Sequence, residues 1–278
     1  MKPLNLAEYE AVARERMPVG VRDYVMGGAG DEITLAENVA AFTRLRLLPR
    51  VLVDVSRVDP SAVVLGQRVA APVLLAPTAF QSLAHPEGEL ATARAAAVGG
   101  TVAVVSTFSA FRLEEIAVAA SGPKWFQLYC YSDREVTRTL VQRAQSAGYS
   151  AICLTVDLPR VGRRERDLRN EFQLPARVRP RNFEEFVDLN VDRAFERFIE
   201  SMVDSSLTWE AVDWLRSITS LPILLKGILT PGDARLAVEH GVQGIVVSNH
   251  GGRQLDTVPA TIDVLAEVAD VVQGRAEV

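Results

Sequence analysis

After residue 70 the chain alternates between short apolar runs and longer stretches whose apolar residues recur at helical spacing. The runs are 73–76, 102–106, 125–129, 151–156, 223–226 and 244–248. Each has the length of a strand buried on both faces. The stretches between them carry helix start signals. Ser132-Asp133-Arg134-Glu135 reads as a capping box. Thr230 before Pro231 sets an N-cap ahead of a proline at the first helical position. His85-Pro86-Glu87-Gly88-Glu89 places acids in a first turn, where the helix dipole favours them. The last helix is expected over 259–272. Residues 5–48 form a helical prelude, with a loop at Gly27-Gly28-Ala29-Gly30. One long connection, 175–208, joins the fourth and fifth strands; it is charged and partly helical over 183–202. Its plain reading is a surface excursion, and an active-site lid is the functional alternative.

Strand-helix repetition without long linkers implies a parallel sheet, either doubly wound or a TIM (β/α)8 barrel. Two features favour the barrel. Polar residues collect at the C-terminal ends of many strands: Thr78, Ser106, Gln127 and Tyr129, Thr155 and Asp157, Lys226, and Ser248 to Arg253. A barrel gathers all such ends at one mouth, whereas an open sheet uses mainly its switch point. No G-x-G-x-x-G follows the first strand. Six β/α units are counted and Glu277-Val278 begins a seventh strand, so an incomplete barrel is expected, lacking about two units. Its open edges are an association hazard. The expected organisation is a single domain over 1–278, with a helical prelude over 1–60 and a partial barrel over 70–278.

The size and charge of the chain narrow the function. With 278 residues, 48% of them hydrophobic, it can bury the core of one large α/β domain. A net charge of −5 and a pI near 5.4 give no basic surface for nucleic acid. The start of the chain has no apolar signal core and no stretch reaches membrane-spanning length, so a cytoplasmic protein is expected. Cys130 and Cys153 lie in or beside apolar runs and are expected as buried free thiols. No Cys/His pair has ligand spacing, so no metal is expected.

The run Ser248-Asn249-His250-Gly251-Gly252-Arg253-Gln254-Leu255-Asp256 follows the sixth strand. It offers a base and an anion-holding cation on one tight loop. Asp157, at the end of the fourth strand, could orient His250 and raise its pKa, or simply serve the turn before Leu158-Pro159. Arg164 and Arg253 could clamp a carboxylate. Arg164 also belongs to Arg163-Arg164-Glu165-Arg166, a charged run that reads equally well as solvated. Tyr24 and Tyr129 offer phenolic hydroxyls, or serve as amphipathic core residues. Lys226 closes an apolar strand and sets a fixed cation in the mouth, suited to an anionic electron-rich ring or to a Schiff base. These residues alone leave a flavin enzyme and a lysine aldolase both open.

The whole chain from Leu6 resembles the FMN-dependent α-hydroxy acid oxidases and dehydrogenases, on their glycolate-oxidising side. Seven motifs carry the resemblance: Asp23-Tyr24 with Gly28-Ala29, Pro77-Thr78-Ala79, Ala84 to Glu89, Phe126-Gln127-Leu128-Tyr129, Leu154 to Asp157 with Gly162-Arg163-Arg164, Leu225-Lys226-Gly227, and Ser248 to Asp256. The resemblance implies that Thr78, Ala79, Ser106, Gln127, Thr155 and Ser248 contact FMN. It places Lys226 against flavin N1 and O2. It assigns Tyr24, Arg164 and Arg253 to the substrate carboxylate, Tyr129 to the substrate hydroxyl, His250 to the catalytic base and Asp157 to its partner. The implied reaction takes an (S)-2-hydroxy acid to a 2-oxo acid, with oxygen or another electron acceptor reoxidising the flavin. A homotetramer is the family's common assembly. Phe108 stands where glycolate oxidase-like members often carry tryptophan over the substrate side chain, which implies room for longer acids. The family's Asp-Gly-Gly and Gly-Arg segments, which bind the FMN phosphate, have no counterpart in these 278 residues. That departure implies, as the alternative, a fragment that holds no FMN or acts only with another chain.

Overall fold

In a computed structural model, which describes residues 2–189 and 204–278, five parallel strands form one sheet. Three helices come first: α1 (Leu6–Arg16), α2 (Val19–Met26) and α3 (Ile33–Arg44). They end at Arg44, short of the expected 48. α1 begins at Asn5, whose side chain accepts from the Glu8 amide at 2.9 Å, and it buries none of its residues. A hairpin that the periodicity did not predict follows, β1 (Ala62–Val64) and β2 (Gln67–Val69). Leu65 and Gly66 join its strands with φ of +47° and +74°. Two positive φ values are the signature of a tight hairpin turn whose twist matches the strands.

The sheet holds β3 (Ala103–Val105), β4 (Lys124–Leu128), β5 (Ala151–Thr155), β6 (Ile223–Ile228) and β7 (Gly244–Val247), in that spatial order. Sequence order equals spatial order, so every crossover advances the same way and no switch point arises. That is the winding of a barrel wall and not of a doubly wound sheet. The expected run 73–76 contributes only a single bridge, Leu75 to Ala103. Pro72 and Pro77 flank it and can donate no ladder bond. At the opposite edge Glu277 bridges to Gly244, which is the expected start of a further strand.

The side chains explain where the site lies. Period-2 alternation sends Val104, Trp125, Cys153 and Leu224 to one face, where they pack on Val69 of the hairpin. Further along the same face the residues turn polar: Ser106, Gln127, Thr155 and Lys226, all buried. The other face carries Val105, Phe126, Leu128, Ile152, Leu154, Ile223 and Leu225 into the main core beneath the helices. Among these is α6 (Arg134–Ser146), whose buried Val136, Leu140, Val141 and Ala144 recur at helical spacing. Its cap is Asp133, which accepts from the Glu135 amide at 2.9 Å; the expected box is thus displaced by one residue from Ser132. α4 (Gly88–Val98) and α5 (Leu113–Ala119) flank β3, and the one-turn α7 (Glu165–Arg169) follows β5. α8 (Glu210–Ile218), α9 (Pro231–Glu239) and α10 (Thr261–Val272) complete the helices. Thr230 caps α9 as expected, and α10 starts two residues after the expected 259.

The described part of the long connection is more than a surface excursion. Val178, Asn182 and Phe183 are buried. Asn182 Oδ1 accepts from the Leu113 amide at 2.9 Å, and its Nδ2 donates to Thr107 O and Ser109 Oγ, each at 3.0 Å. Residues 181–183 form a 3-10 turn, and the expected helix beyond it lies mostly outside the described residues. Cys130 and Cys153 are buried and free, and burial pushes their thiols up to about 11 and about 12. No described helix is long and apolar enough to cross a membrane.

Candidate active site

The loop after β7 is built around a strained histidine. His250 has φ +59°, in the left-handed region that residues with a Cβ seldom enter. Its amide donates to Ser248 Oγ at 3.1 Å, and Gly252 N donates to Asn249 Oδ1 at 3.2 Å. His250 Nδ1 lies 2.8 Å from Asp157 Oδ1. A carboxylate only accepts, so Nδ1 carries the proton and Nε2 is the ring's acceptor. The expected rise in its pKa is not what the surroundings produce. Burial lowers it, more than the hydrogen bond to Asp157 raises it, and the Lys226 charge acts in the same direction as burial. The neutral imidazole is therefore the resting form at neutral pH, as a base requires.

Asp157 reaches His250 because Gly227 makes room. Gly227 has φ +118°, and a Cβ there would lie 2.6 Å from Asp157 Cβ and 2.7 Å from its Cγ. The second carboxylate oxygen of Asp157, Oδ2, is buried with no hydrogen-bond partner among the described residues.

Two guanidinium groups approach the same space. Arg253 Nη1 donates to Tyr24 O at 2.8 Å and Gly27 O at 2.7 Å, and its Cζ sits 5.3 Å from the Tyr24 ring centroid. Burial, and then the charge of Arg164, lower the pKa of Arg253. Arg164 Nε is buried without a hydrogen-bond partner among the described residues. Its nearest ion-pair partner there, Asp167, is 3.9 Å away, longer than a hydrogen bond. The charged run is thus not uniform: the Arg163 side chain is 77% exposed and that of Arg164 only 18%. Two half-buried like charges, one with an unused donor, form a site that an anion would complete.

The phenols border this space. Tyr24 stacks on Phe172 with centroids 4.7 Å apart, and burial raises its pKa. Tyr129 follows β4 and stacks on Phe108 at 5.4 Å. Burial and the Asp157 charge push the Tyr129 phenol far above its ordinary value, so it stays a proton donor. A cavity of about 450 Å³ opens beside them, lined in part by Phe108, Tyr129, Tyr131, Leu158, Leu207 and Trp209.

The polar band on the inner sheet face forms a second constellation. Gln127 Nε2 donates to Thr155 Oγ1 at 3.0 Å, while Gln127 Oε1 accepts from Ser106 Oγ at 3.3 Å and from the Thr107 amide at 3.2 Å. Thr155 pairs with Lys226 across the β5–β6 ladder. Lys226 is 9% exposed; its carbonyl accepts from the Val156 amide at 2.9 Å, and its ammonium group has no hydrogen bond or ion pair among the described residues. Thr78 is exposed and Ala79 half-buried on the loop before the 3-10 turn Gln81–Leu83. The Thr78 carbonyl accepts from Gln81 Nε2 at 3.3 Å.

Sequence reasoning missed the residues that hold this arrangement. Asn249 exchanges two amide bonds with Asn38 of α3, at 2.7 and 2.9 Å. Asp256 accepts from the amides of Asp31, Ile33 and Thr34 at 3.0, 3.3 and 2.8 Å, capping α3 from the far end of the chain. Gln254 and Gly162 join the loops after β5 and β7. Their signal was adjacency to the residues that carry chemistry, but their partners are 92 to 225 positions away.

Comparison with known proteins agrees with this geometry. Residues 13–278 match the FMN-dependent dehydrogenase family. The chain belongs to that family. It is 50% identical to "Glycolate oxidase 3" of Arabidopsis thaliana, an alignment covering 100% of this chain and 77% of the relative. It is 49% identical to "Glycolate oxidase" of Spinacia oleracea, over 100% of this chain and 76% of the relative. Among solved structures, mandelate oxidase superposes with a TM-score of 0.92 at 43% identity, covering 99% of this chain and 77% of that one. The fold is accordingly that of a TIM barrel, of which the described residues form a five-stranded arc.

The chemistry of this family is FMN-dependent oxidation of 2-hydroxy acids, with oxygen the typical acceptor. The residues present fit FMN. Lys226 is a buried cation that lacks a counter-charge among the described residues, and such a charge is costly unless an anion meets it. Beside it, Thr155, Gln127 and Ser106 supply hydroxyl and amide groups on the same face.

Proposed function

We propose that this chain oxidises (S)-2-hydroxy acids to 2-oxo acids with FMN as cofactor and oxygen as acceptor, yielding hydrogen peroxide. The observation that carries the residue assignment is the meeting of the Arg164–Arg253 pair with the His250–Asp157 pair at one mouth. Thr78, Ala79, Ser106, Gln127, Thr155, Lys226 and Ser248 are the residues that would hold FMN, which when bound supplies a two-electron acceptor. Arg164 and Arg253 receive the substrate carboxylate, Arg164 with its unused Nε–H, and Tyr24 adds a phenolic donor. This fixes C2 and its hydroxyl near Tyr129 and His250. His250 Nε2 accepts the proton released as the substrate is oxidised, and Asp157 steadies the resulting imidazolium through Nδ1. Tyr129, held protonated, donates to the substrate oxygen. Lactate as a substrate and a homotetramer belong to the same proposal through the family resemblance, and a cytoplasmic setting joins it from the sequence pattern.

Phe108 and the adjoining cavity support substrates longer than glycolate. Peroxide release measured with glycolate, lactate and 2-hydroxyoctanoate tests this. The expected order places one of the longer acids first by kcat/KM. A strict preference for glycolate overturns the size argument and leaves the reaction class standing.

A further inference from the structure

We infer that Gln254 is a positioning residue that sets the distance between the base and its carboxylate partner. The inference rests on reading His250 and Asp157 as that pair. Every polar atom of the Gln254 amide is spent on the loop that leads from Asp157 toward Arg164. Its Nε2 donates to Asp157 O at 3.0 Å and to Arg160 O at 2.9 Å, while its Oε1 accepts from the Gly162 amide at 3.3 Å. One side chain of the β7 loop thus grips three consecutive parts of the β5 loop, over a sequence separation of 92 to 97 residues.

The two loops are pressed together at this point. A Cβ on Gly162 would strike Arg253 O and would lie 2.7 Å from Gln254 O and 2.8 Å from its Cα. Gly162 therefore permits the approach and Gln254 fixes its register. Each loop carries one member of each functional pair. Asp157 and Arg164 sit on one; His250 and Arg253 sit on the other. His250 touches Asp157 at 2.8 Å, four residues before Gln254 in sequence, and no other hydrogen bond between described residues joins the side chain of Asp157 to that loop. Beside the close packing of Gly227 against Asp157, the backbone anchor on Asp157 O is a further restraint on where its carboxylate points. An amide is suited to this work, because it supplies two donors and an acceptor in one rigid plane.

The test uses two variants of the full chain. Gln254→Glu keeps the acceptor for Gly162 and turns a carboxylate toward the two carbonyls. Gln254→Met removes all three bonds at similar length. Both are checked for folding by circular dichroism; if one fails to fold, the other carries the result. The first readout is the ¹⁵N spectrum of the imidazole rings, which needs no cofactor. The chain has three histidines, and His250→Asn assigns the resonance. Wild type is expected to show His250 as the Nδ1–H tautomer. The variants are expected to show a mixture in which Nε2–H is substantial. The second readout is steady-state turnover, with kcat expected to fall roughly ten- to a hundredfold, the scale on which an ångström of misplacement acts. Unchanged tautomer and kcat within twofold of wild type overturn the inference. Wild-type protein that oxidises no 2-hydroxy acid overturns the functional reading instead, and the tautomer spectra then still decide whether Gln254 sets the His250–Asp157 geometry.

Discussion

Gly227→Ala is the substitution through which the geometry of the site can be read with least ambiguity. The residue lies in β6 and has no side chain, so any effect must pass through what its added Cβ displaces or the strain it puts on the backbone. That atom would lie 2.6 Å from Asp157 Cβ, 2.7 Å from its Cγ and 3.0 Å from its amide nitrogen. Non-bonded carbons rest at about 3.5–4.0 Å, so the Asp157 segment must retreat by about 1 Å. Backbone strain adds to this, since φ is +118°. A residue held in such a region costs on the order of 1–3 kcal/mol. At roughly 2–4 °C per kcal/mol for a chain of this size, the melting temperature should fall by about 2 to 12 °C. A 1 Å displacement of Asp157 should lower kcat on the order of a hundredfold. Thermal melts and steady-state peroxide release measure the two effects separately. Repeating the substitution in an Asp157→Asn background isolates the route. There, Gly227→Ala should cost stability again but almost no further rate. A rate loss as large as in wild type would show that the strain acts elsewhere, and a rate unchanged in both backgrounds would refute the role of Asp157 altogether.

Three further outcomes are expected. The acid limb of kcat/KM should rise as His250 loses its proton, with an apparent pKa below the ordinary value of about 6.5, because burial outweighs the Asp157 bond; a limb centred above 7 contradicts this. Arg164→Met should raise KM roughly ten- to a hundredfold, the worth of a charge-assisted hydrogen bond of about 1.5–3 kcal/mol. Its melting temperature should hold or rise, since the change removes a half-buried charge whose buried Nε has no partner among the described residues, and an unaltered KM would remove Arg164 from the carboxylate site. Asp256→Ala should lower the melting temperature and speed hydrogen exchange at the amides of Asp31, Ile33 and Thr34, with Asp256→Asn intermediate; unchanged protection of those amides refutes the cap.

The parts of this molecule that local pattern dictates were readable in the chain. Short, mainly apolar runs located β3 to β7, because a parallel strand is buried on both faces. The same reading placed Ser106, Gln127, Thr155, Lys226 and Ser248 at successive strand ends, and period-2 alternation then puts them on one face. The run at 73–76 failed as a strand because its flanking prolines leave little ladder to form, and periodicity does not register donors. The hairpin at 62–69 was hidden because its strands are three residues each, too short for alternation to show.

The electrostatics of the site were harder to read, since they depend on distances that no local window contains. Asp157 as a partner suggested a raised histidine pKa, yet burial of the ring outweighs it. Local pattern does not separate Arg163 from Arg164, which only the motif resemblance singled out, and the turn into α7 sends one outward and the other inward. The supporting residues Asn38, Asn249, Gln254 and Asp256 are ordinary polar residues until the fold brings the prelude and the β7 loop together.

The central claim is that His250 and the arginine pair act on a 2-hydroxy acid beside a bound flavin. Anaerobic mixing of the flavin-loaded protein with (S)-lactate or (S)-mandelate, followed at the oxidised flavin absorption band, tests it most directly. Wild type should bleach with at least one of these acids, stoichiometrically with 2-oxo acid formed, and His250→Asn should keep its flavin colour on the same timescale. Flavin-loaded wild type that stays yellow, or a His250→Asn protein that bleaches as fast as wild type, would contradict the account.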